Sequence, residues 1–214
     1  MPYFLDSNVI IGYYFYCGDH WGNQAKRLIE IPEPKHSSDH VWQECFGVDG
    51  TRGKCKTKMQ EIKEEFHSSI SLLTKYDYTP IDLFSQATEE KWKIMEIVHE
   101  LAAKYERDVK LLTRKIRTAE RKYEVDCNDR LTSLKKTARI QIHERNVDYL
   151  DIQRMLNPVI EDPADVIILL DAHHVGINIP LLNFVSGDHG HIVRNKQFIV
   201  DNTKISDVTY LDSI

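Results

Sequence analysis

The spacing of apolar positions changes twice along the chain. Up to about residue 50, and again after Asn157, apolar runs of strand length alternate with amphipathic stretches, which predicts alternating strands and helices and therefore a mostly parallel sheet. Between these two parts the spacing is that of long helices.

In the first part, the run at Phe4-Leu5 ends at Asp6-Ser7-Asn8 and turns at once into a helix over residues 8–16. A second helix over Asn23–Ile31 stops before Pro32 and Pro34, and a short strand over Lys35–Ser38 follows. Ser38 or Asp39 then caps a helix that carries His40 through Phe46 and places Glu44 about one and a half turns in. In the last part, Asp162-Pro163-Ala164-Asp165 opens a helix to Gly176, with Pro in its first turn and Gly at its C-terminal end. Leu181–Ser186 reads as a strand leaving through Gly187-Asp188-His189-Gly190, with further strands at Gln197–Val200 and Val208–Leu211. Asp6 and Asp188 thus each close an apolar strand, the edge at which ligand crevices form in parallel sheets.

The middle is helical from Thr51 to Tyr76, is interrupted around Pro80, and resumes after a cap at Ser85 or Thr88. Met95, Val98, Ala102, Tyr105, Val109, Leu112, Ile116, Ala119 and Tyr123 then follow steps of three and four, a coiled-coil seam that calls for a partner helix. Weak helix formers at Val125-Asp126-Cys127-Asn128 suggest a turn, with Leu131, Leu134, Ala138, Ile142 and Tyr149 on the returning strip. The expectation is an antiparallel hairpin over residues 85–150, about 45 Å long at 1.5 Å per residue. A single uninterrupted helix is the alternative.

Composition changes this picture in one respect. The net charge of −5 argues against a polyanionic partner, yet Lys104–Arg145 holds thirteen basic and seven acidic residues and carries +6, which leaves −11 elsewhere. A basic arm on an acidic body keeps nucleic acid open as a partner, through Arg114, Lys115, Arg117, Arg121, Lys122, Lys135, Lys136 and Arg139. Four cysteines without CxxC spacing read as free thiols of a reducing compartment. With no apolar run of membrane length and no secretory signal pattern, the expected location is the cytoplasm. Ten histidines raise a zinc site at His173-His174 and at Asp188-His189-Gly190-His191, but no cysteine joins in and adjacent helical histidines point apart.

Taken together, Leu5-Asp6-Ser7-Asn8-Val9, Glu44 in an early helix, the Asp165, Ala172 and Gly176 spacing, and Phe184-Val185-Ser186-Gly187-Asp188 resemble the PIN-domain family of metal-dependent nucleases. The resemblance covers residues 1–50 and 157–214, and departs from the family's pattern in its long middle, 51–156, read as a helical insertion. It implies a three-layer α/β fold with a central mostly parallel sheet. It implies a catalytic and metal-binding set of Asp6, Glu44, Asp165 and Asp188, with Asp162 as a second candidate for the third acid. Ser7, Asn8 and Ser186 would orient ligands or the scissile phosphate, and Mg2+ or Mn2+ would be the cofactor. The function so implied is a phosphodiester hydrolase, RNA before DNA as substrate. A homodimer or a protein partner through the arm is a further expectation. The competing reading is a scaffold without catalysis that binds nucleic acid or protein through the arm. An aspartyl-phosphate hydrolase is disfavoured because no Asp stands two residues after Asp6.

Overall fold

The computed structural model describes residues 1–16, 20–48, 52–75, 92–105, 108–136 and 140–214. Strands β1 (Tyr3–Leu5), β2 (Lys35–Ser38), β3 (Gln141–His143), β4 (Asn183–Ser186) and β5 (Asp207–Tyr210) form a sheet in the order β3-β2-β1-β4-β5, parallel throughout. The described helices are α1 (Ser7–Phe15), α2 (Gly22–Glu30), α3 (Asp39–Phe46), α4 (Lys54–Lys75), α5 (Trp92–Tyr105), α6 (Val109–Lys136), α7 (Leu150–Leu156), α8 (Pro163–Asn178) and α9 (Lys196–Asn202). The chain is an α/β protein.

The direction in which the sheet grows reverses between β1 and β4, and loops leaving the carboxyl ends of such a pair diverge and leave a crevice. Asp6 and Gly187-Asp188 leave these two ends. Alternation along the strands buries both faces. Phe4, Phe184 and Val208 join one core with Ile10, Val41 and Leu169, while Leu5 and Val185 join the other with Val9, Tyr13 and Leu28. Helix α1 lies between them and is apolar almost all round, so its polar start is what ties it to the site.

The middle of the chain differs from the expected arm. Helix α6 runs straight through Val125–Asn128, and the break lies earlier, where Asp108 accepts the Leu111 amide as an N-cap. Weak propensity at 125–128 costs a few tenths of a kcal/mol per residue, less than the roughly 1.5–3 kcal/mol gained by burying a large apolar side chain. Tyr123 and Cys127 are 6% and 0% exposed, so packing wins. The seam residues Met95, Val98, Ala102, Leu112 and Ile116 are buried as expected, whereas Val109, where the helix restarts, is 47% exposed.

These helices pack on the body. Helix α6 runs antiparallel to α4, with Lys63 on Glu124 at 2.7 Å and His67 on Glu120 at 3.4 Å. The Tyr123 hydroxyl donates to Phe15 O at 3.1 Å and Arg130 Nε to Tyr14 O at 2.8 Å, satisfying carbonyls that the end of α1 leaves without helical partners. The returning strip is not formed as expected: Ile142 is in β3, Tyr149 precedes α7, and Ala138 lies outside the described residues. Interval 51–156 therefore supplies an edge strand as well as helices. Ser85, Thr88 and Pro80 are also outside the described residues.

One smaller expectation changes. Residues Gln197–Val200 lie in α9 rather than a strand, with Ile199 as its buried anchor. Gly176 lies in the last turn of α8, at its C-terminal end as expected, and a Cβ there would lie 2.4 Å from the Lys204 carbonyl oxygen, which is the reason for glycine.

Two buried polar contacts hold the β2–β3 side of the sheet. Asp171, 1% exposed in α8, accepts Arg145 Nε at 2.7 Å and faces His40 Nδ1 at 2.9 Å, tying the segment after β3 to α8 and α3. His36 Nδ1 and His143 Nε2 lie 3.0 Å apart across β2 and β3, a bond that needs one ring nitrogen bare. Burial, and then the charge His143 would carry, lower the His36 pKa from 6.5 to about 4.

Two outcomes follow. Arg145→Met leaves the Asp171 carboxylate buried beside His40 alone and is expected to cost about 3 kcal/mol in urea unfolding; a change under about 0.5 kcal/mol would contradict the pairing. For His36, the folded pKa lies below the unfolded one, so the unfolded chain binds the proton first. Its contribution is whole above 6.5 and falls as pH drops from there towards 4. Between pH 7.5 and 4.5 the parent should lose roughly 2 kcal/mol relative to His36→Gln. The comparison isolates His36 from Asp6 and Asp165, whose raised pKa values act in the opposite direction. Parallel pH profiles for the two proteins would show that the pair does not titrate.

Candidate functional site

Asp6 is the residue between β1 and α1, and its position makes it the N-cap of α1. Its Oδ1 accepts the Ser7 amide at 2.6 Å, while Oδ2 accepts the Ser186 hydroxyl at 2.6 Å and the Asn8 side-chain amide at 3.2 Å. At 2% exposure the carboxyl pKa is raised by burial, against the lowering effect of the Ser186 and Ser7 hydrogen bonds. The Glu44 charge adds to the rise and the Lys54 charge offsets it.

The Ser186 hydroxyl also accepts the Asp188 amide at 2.9 Å. One side chain at the end of β4 thus fixes the carboxylate after β1 and the backbone that carries the next acid. Asp188 in turn accepts the His191 amide on Oδ1 at 2.8 Å and faces His191 Nδ1 with Oδ2 at 3.3 Å. Asp165, in the first turn of α8, offers an oxygen that lies with those of Asp188 and a ring nitrogen of His191 in a group spanning no more than 4.8 Å. Its pKa is raised to about 7, by burial first and then by the charges of Asp6, Asp162, Asp188 and Glu44.

Glu44 approaches from α3. One of its oxygens pairs with Lys54, at the start of α4, and the other, Oε2, is buried with no hydrogen-bond partner among the described residues. Burial pulls the Lys54 pKa down, but the hydrogen bond and charge of Glu44, with the charges of Asp6 and Asp165, outweigh it and the net shift is upward.

Asp165 thus lies within electrostatic range of Asp6, Glu44 and Asp188, and Asp6 within range of Glu44, while among the described residues the metal-sized group at this edge holds Asp165, Asp188 and His191 and neither Asp6 nor Glu44. Ser186 and Asn8 touch Asp6 through their side chains, whereas Ser7 does so through its backbone amide. Asp162 is the N-cap of α8, accepting the Ala164 amide at 2.8 Å, and its charge also reaches Asp165. His173 and His174 diverge: the first accepts the Lys204 amide, the second meets the Tyr149 hydroxyl. Neither is in a metal-sized group among the described residues. His189 packs on Tyr210, which leaves His191 as the histidine beside the acids.

Sequence reasoning gave Lys54 no role in the site, and weighed His191 beside Asp188 for zinc and, at the crevice mouth, for phosphate, without choosing it over His189. Both carried a signal: Lys54 lies in the cationic start of α4, and His191 is three residues after Asp188, the reach of an Asp-capped turn. A cleft of about 380 Å³ adjoins the acids, lined among others by Asn8, Trp21, Arg52, Lys54, Thr57 and Lys58.

The basic residues named from sequence separate into two groups. Arg114, Arg117 and Arg121, with Lys110, are exposed along one face of α6 around a shallow groove of about 410 Å³. The pairing of α4 with α6 sets Arg121 about 18 Å along α4 from Lys54, at 1.5 Å per residue. Lys115 lies over Tyr105, Lys122 pairs with Asp126, and Lys135 lies over Trp42, so these three are engaged within the fold. Arg139 and the Lys136 side chain lie outside the described residues.

Among the described residues no helix is long and apolar enough to cross a membrane. Comparison of the chain with protein-family models, with curated proteins and with solved structures gives no match.

Proposed function

We propose that the chain is a divalent-metal-dependent nuclease of the PIN-domain type, hydrolysing phosphodiester bonds, with RNA as the favoured substrate. The observation that carries this reading is the buried Glu44 Oε2, without a hydrogen-bond partner among the described residues, in a crevice shared with Asp6, Asp165 and Asp188. A buried carboxylate oxygen without a donor is costly. A cluster of carboxylates resolves that cost best around a hard cation, and a donor set dominated by carboxylate oxygens, with His191 at its edge, suits Mg2+ or Mn2+.

Held by Asp6, Asp165 and Asp188, with Glu44 directly or through water, such an ion would supply the charge that polarises a phosphodiester and acidifies an attacking water. The chain's own groups do the positioning. Ser7 N, Ser186 Oγ and Asn8 Nδ2 fix the rotamer of Asp6, and Ser186 sets the loop that aims Asp188. His191 stands where it can orient Asp188 or meet a phosphate oxygen. Lys54 offers the nearest fixed positive charge for a polyanion that the acids alone would repel. The Lys110–Arg121 face of α6 gives a more distant contact for a longer strand. The free thiols of Cys45, Cys55 and Cys127 suit a reducing compartment, and the reading includes the cytoplasm as location.

One observation favours a second reading. The Lys54 ammonium already pairs with Glu44, and a proton on Asp165 would remove a further charge, so the crevice can be neutralised without a metal. In that case the fold is a scaffold that binds nucleic acid or a protein partner, or a second copy, through α4–α6.

The test is cleavage of end-labelled single-stranded and hairpin RNAs and DNAs with Mg2+, Mn2+ or EDTA. The nuclease reading expects cutting that EDTA stops, Asp6→Asn and Asp188→Asn activities at or below about a hundredth of the parent, and a Ser186→Ala loss of about 10–100-fold. Absence of metal-dependent cutting by the folded parent, with nucleic-acid or protein binding intact, would establish the scaffold instead.

A further inference from the structure

The cleft beside the acids shares Asn8 and Lys54 with them and has a cationic wall of Arg52, Lys54 and Lys58, with Glu61 the acid among its lining residues. Lys54 is committed to Glu44, and Lys58 Nζ lies 5.4 Å from the centre of the Phe15 ring. Arg52 is exposed and has no acid partner among the described residues, so its guanidinium is open to an anion. Trp21 gives the same cleft an aromatic wall.

The placement of Trp21 is tightly determined. A Cβ on Gly187 would come within 3.2 Å of Trp21 Cζ2 and Cη2 and of Asn8 Cβ, so the indole edge lies against the backbone that leads into Asp188. A side chain there would have to push the ring or Asn8 back by a few tenths of an ångström. The ring thus stands between the acid-bearing loop and the basic wall, and its position is set by packing rather than by a free side chain.

A guanidinium and an indole lining one cleft match two parts of one nucleotide, its phosphate and its base. Pockets of this volume hold small ligands of about that size. A duplex keeps its bases paired and stacked and offers no base face to an indole, whereas a single strand does. We propose that this cleft seats one unstacked nucleotide of a single-stranded polynucleotide, with its base on Trp21, its phosphate on Arg52 and Lys58, and the adjoining backbone directed to the acids. The direction of the strand rests on the nuclease reading; the binding does not.

The experiment is equilibrium binding of a dye-labelled single-stranded oligonucleotide of about a dozen residues, in RNA and DNA forms and as a duplex, in EDTA over a range of salt. The parent is expected to prefer the single strand. Trp21→Ala should weaken it about tenfold or more. Arg52→Glu should weaken it and reduce the salt slope by at least about 0.7. A preference for either sugar supports the proposal and names the strand. Equal affinity for duplex, or unchanged affinity in both variants, overturns it. Arg52 is exposed, so its variant keeps the test valid if Trp21→Ala fails to fold, and Trp21→Phe, with a smaller ring, should lie between parent and Ala. The two readings fail separately. Trp21-dependent binding without metal-dependent cutting would sink the nuclease and leave this subsite. Cutting that Asp6→Asn abolishes, with Trp21 and Arg52 irrelevant to binding, would do the reverse.

Discussion

One hydroxyl ties the two strand-end acids of the site together. Ser186 ends β4, donates to the buried carboxylate of Asp6 after β1, and accepts the amide of Asp188. The two strands are neighbours because the sheet reverses its growth between them, and they are parallel, so both acids leave from the same edge. A carboxylate 2% exposed would be hard to keep charged there without donors. The Ser7 amide, Ser186 hydroxyl and Asn8 side chain offset part of that cost and, in doing so, lock its direction. Glu44 and Asp165 are then brought to the crevice by α3 and α8, which begin at or near the same edge.

This arrangement was partly legible because it is local. Ser38 or Asp39, and the stretch Asp162-Pro163-Ala164-Asp165, are start signals that act within one helical turn; Ser38 forms the first cap, and the second helix opens at this stretch with Asp162 as its cap. Asp6 and Asp188 were found because each follows a short apolar run. What sequence did not disclose depends on distant partners. Strand β3 is three residues with two exposed positions, and only its pairing with β2 makes it a strand. The turn placed at Val125–Asn128 failed because local propensity was set against the burial of Tyr123 and Cys127 on α1 and its neighbours. Gly176 has the residue type of a cap but answers to the Lys204 backbone 28 positions away.

Charge tells a similar story. The excess of lysine and arginine over 104–145 is real in sequence, yet the fold divides it: Lys115, Lys122 and Lys135 are drawn into contacts, and Lys110, Arg114, Arg117 and Arg121 remain as an open face. The cations nearest the acids come instead from the short stretch Arg52–Lys58, whose net charge is too local to dominate any composition window. A polyanion would therefore meet an acidic centre flanked by basic walls, the pattern expected where a cation bound among the acids completes the field.

If these carboxylates hold a divalent ion, Mn2+ binding to the purified chain by electron paramagnetic resonance shows it, parent beside Glu44→Gln and Asp188→Asn. The expected result is saturable binding at one or two sites per chain, weakened about tenfold or more in both variants, and displaced by Mg2+. A folded parent that binds no Mn2+, or variants that bind it as the parent does, would contradict the claim and leave Lys54 and a proton on Asp165 as the partners of the acids.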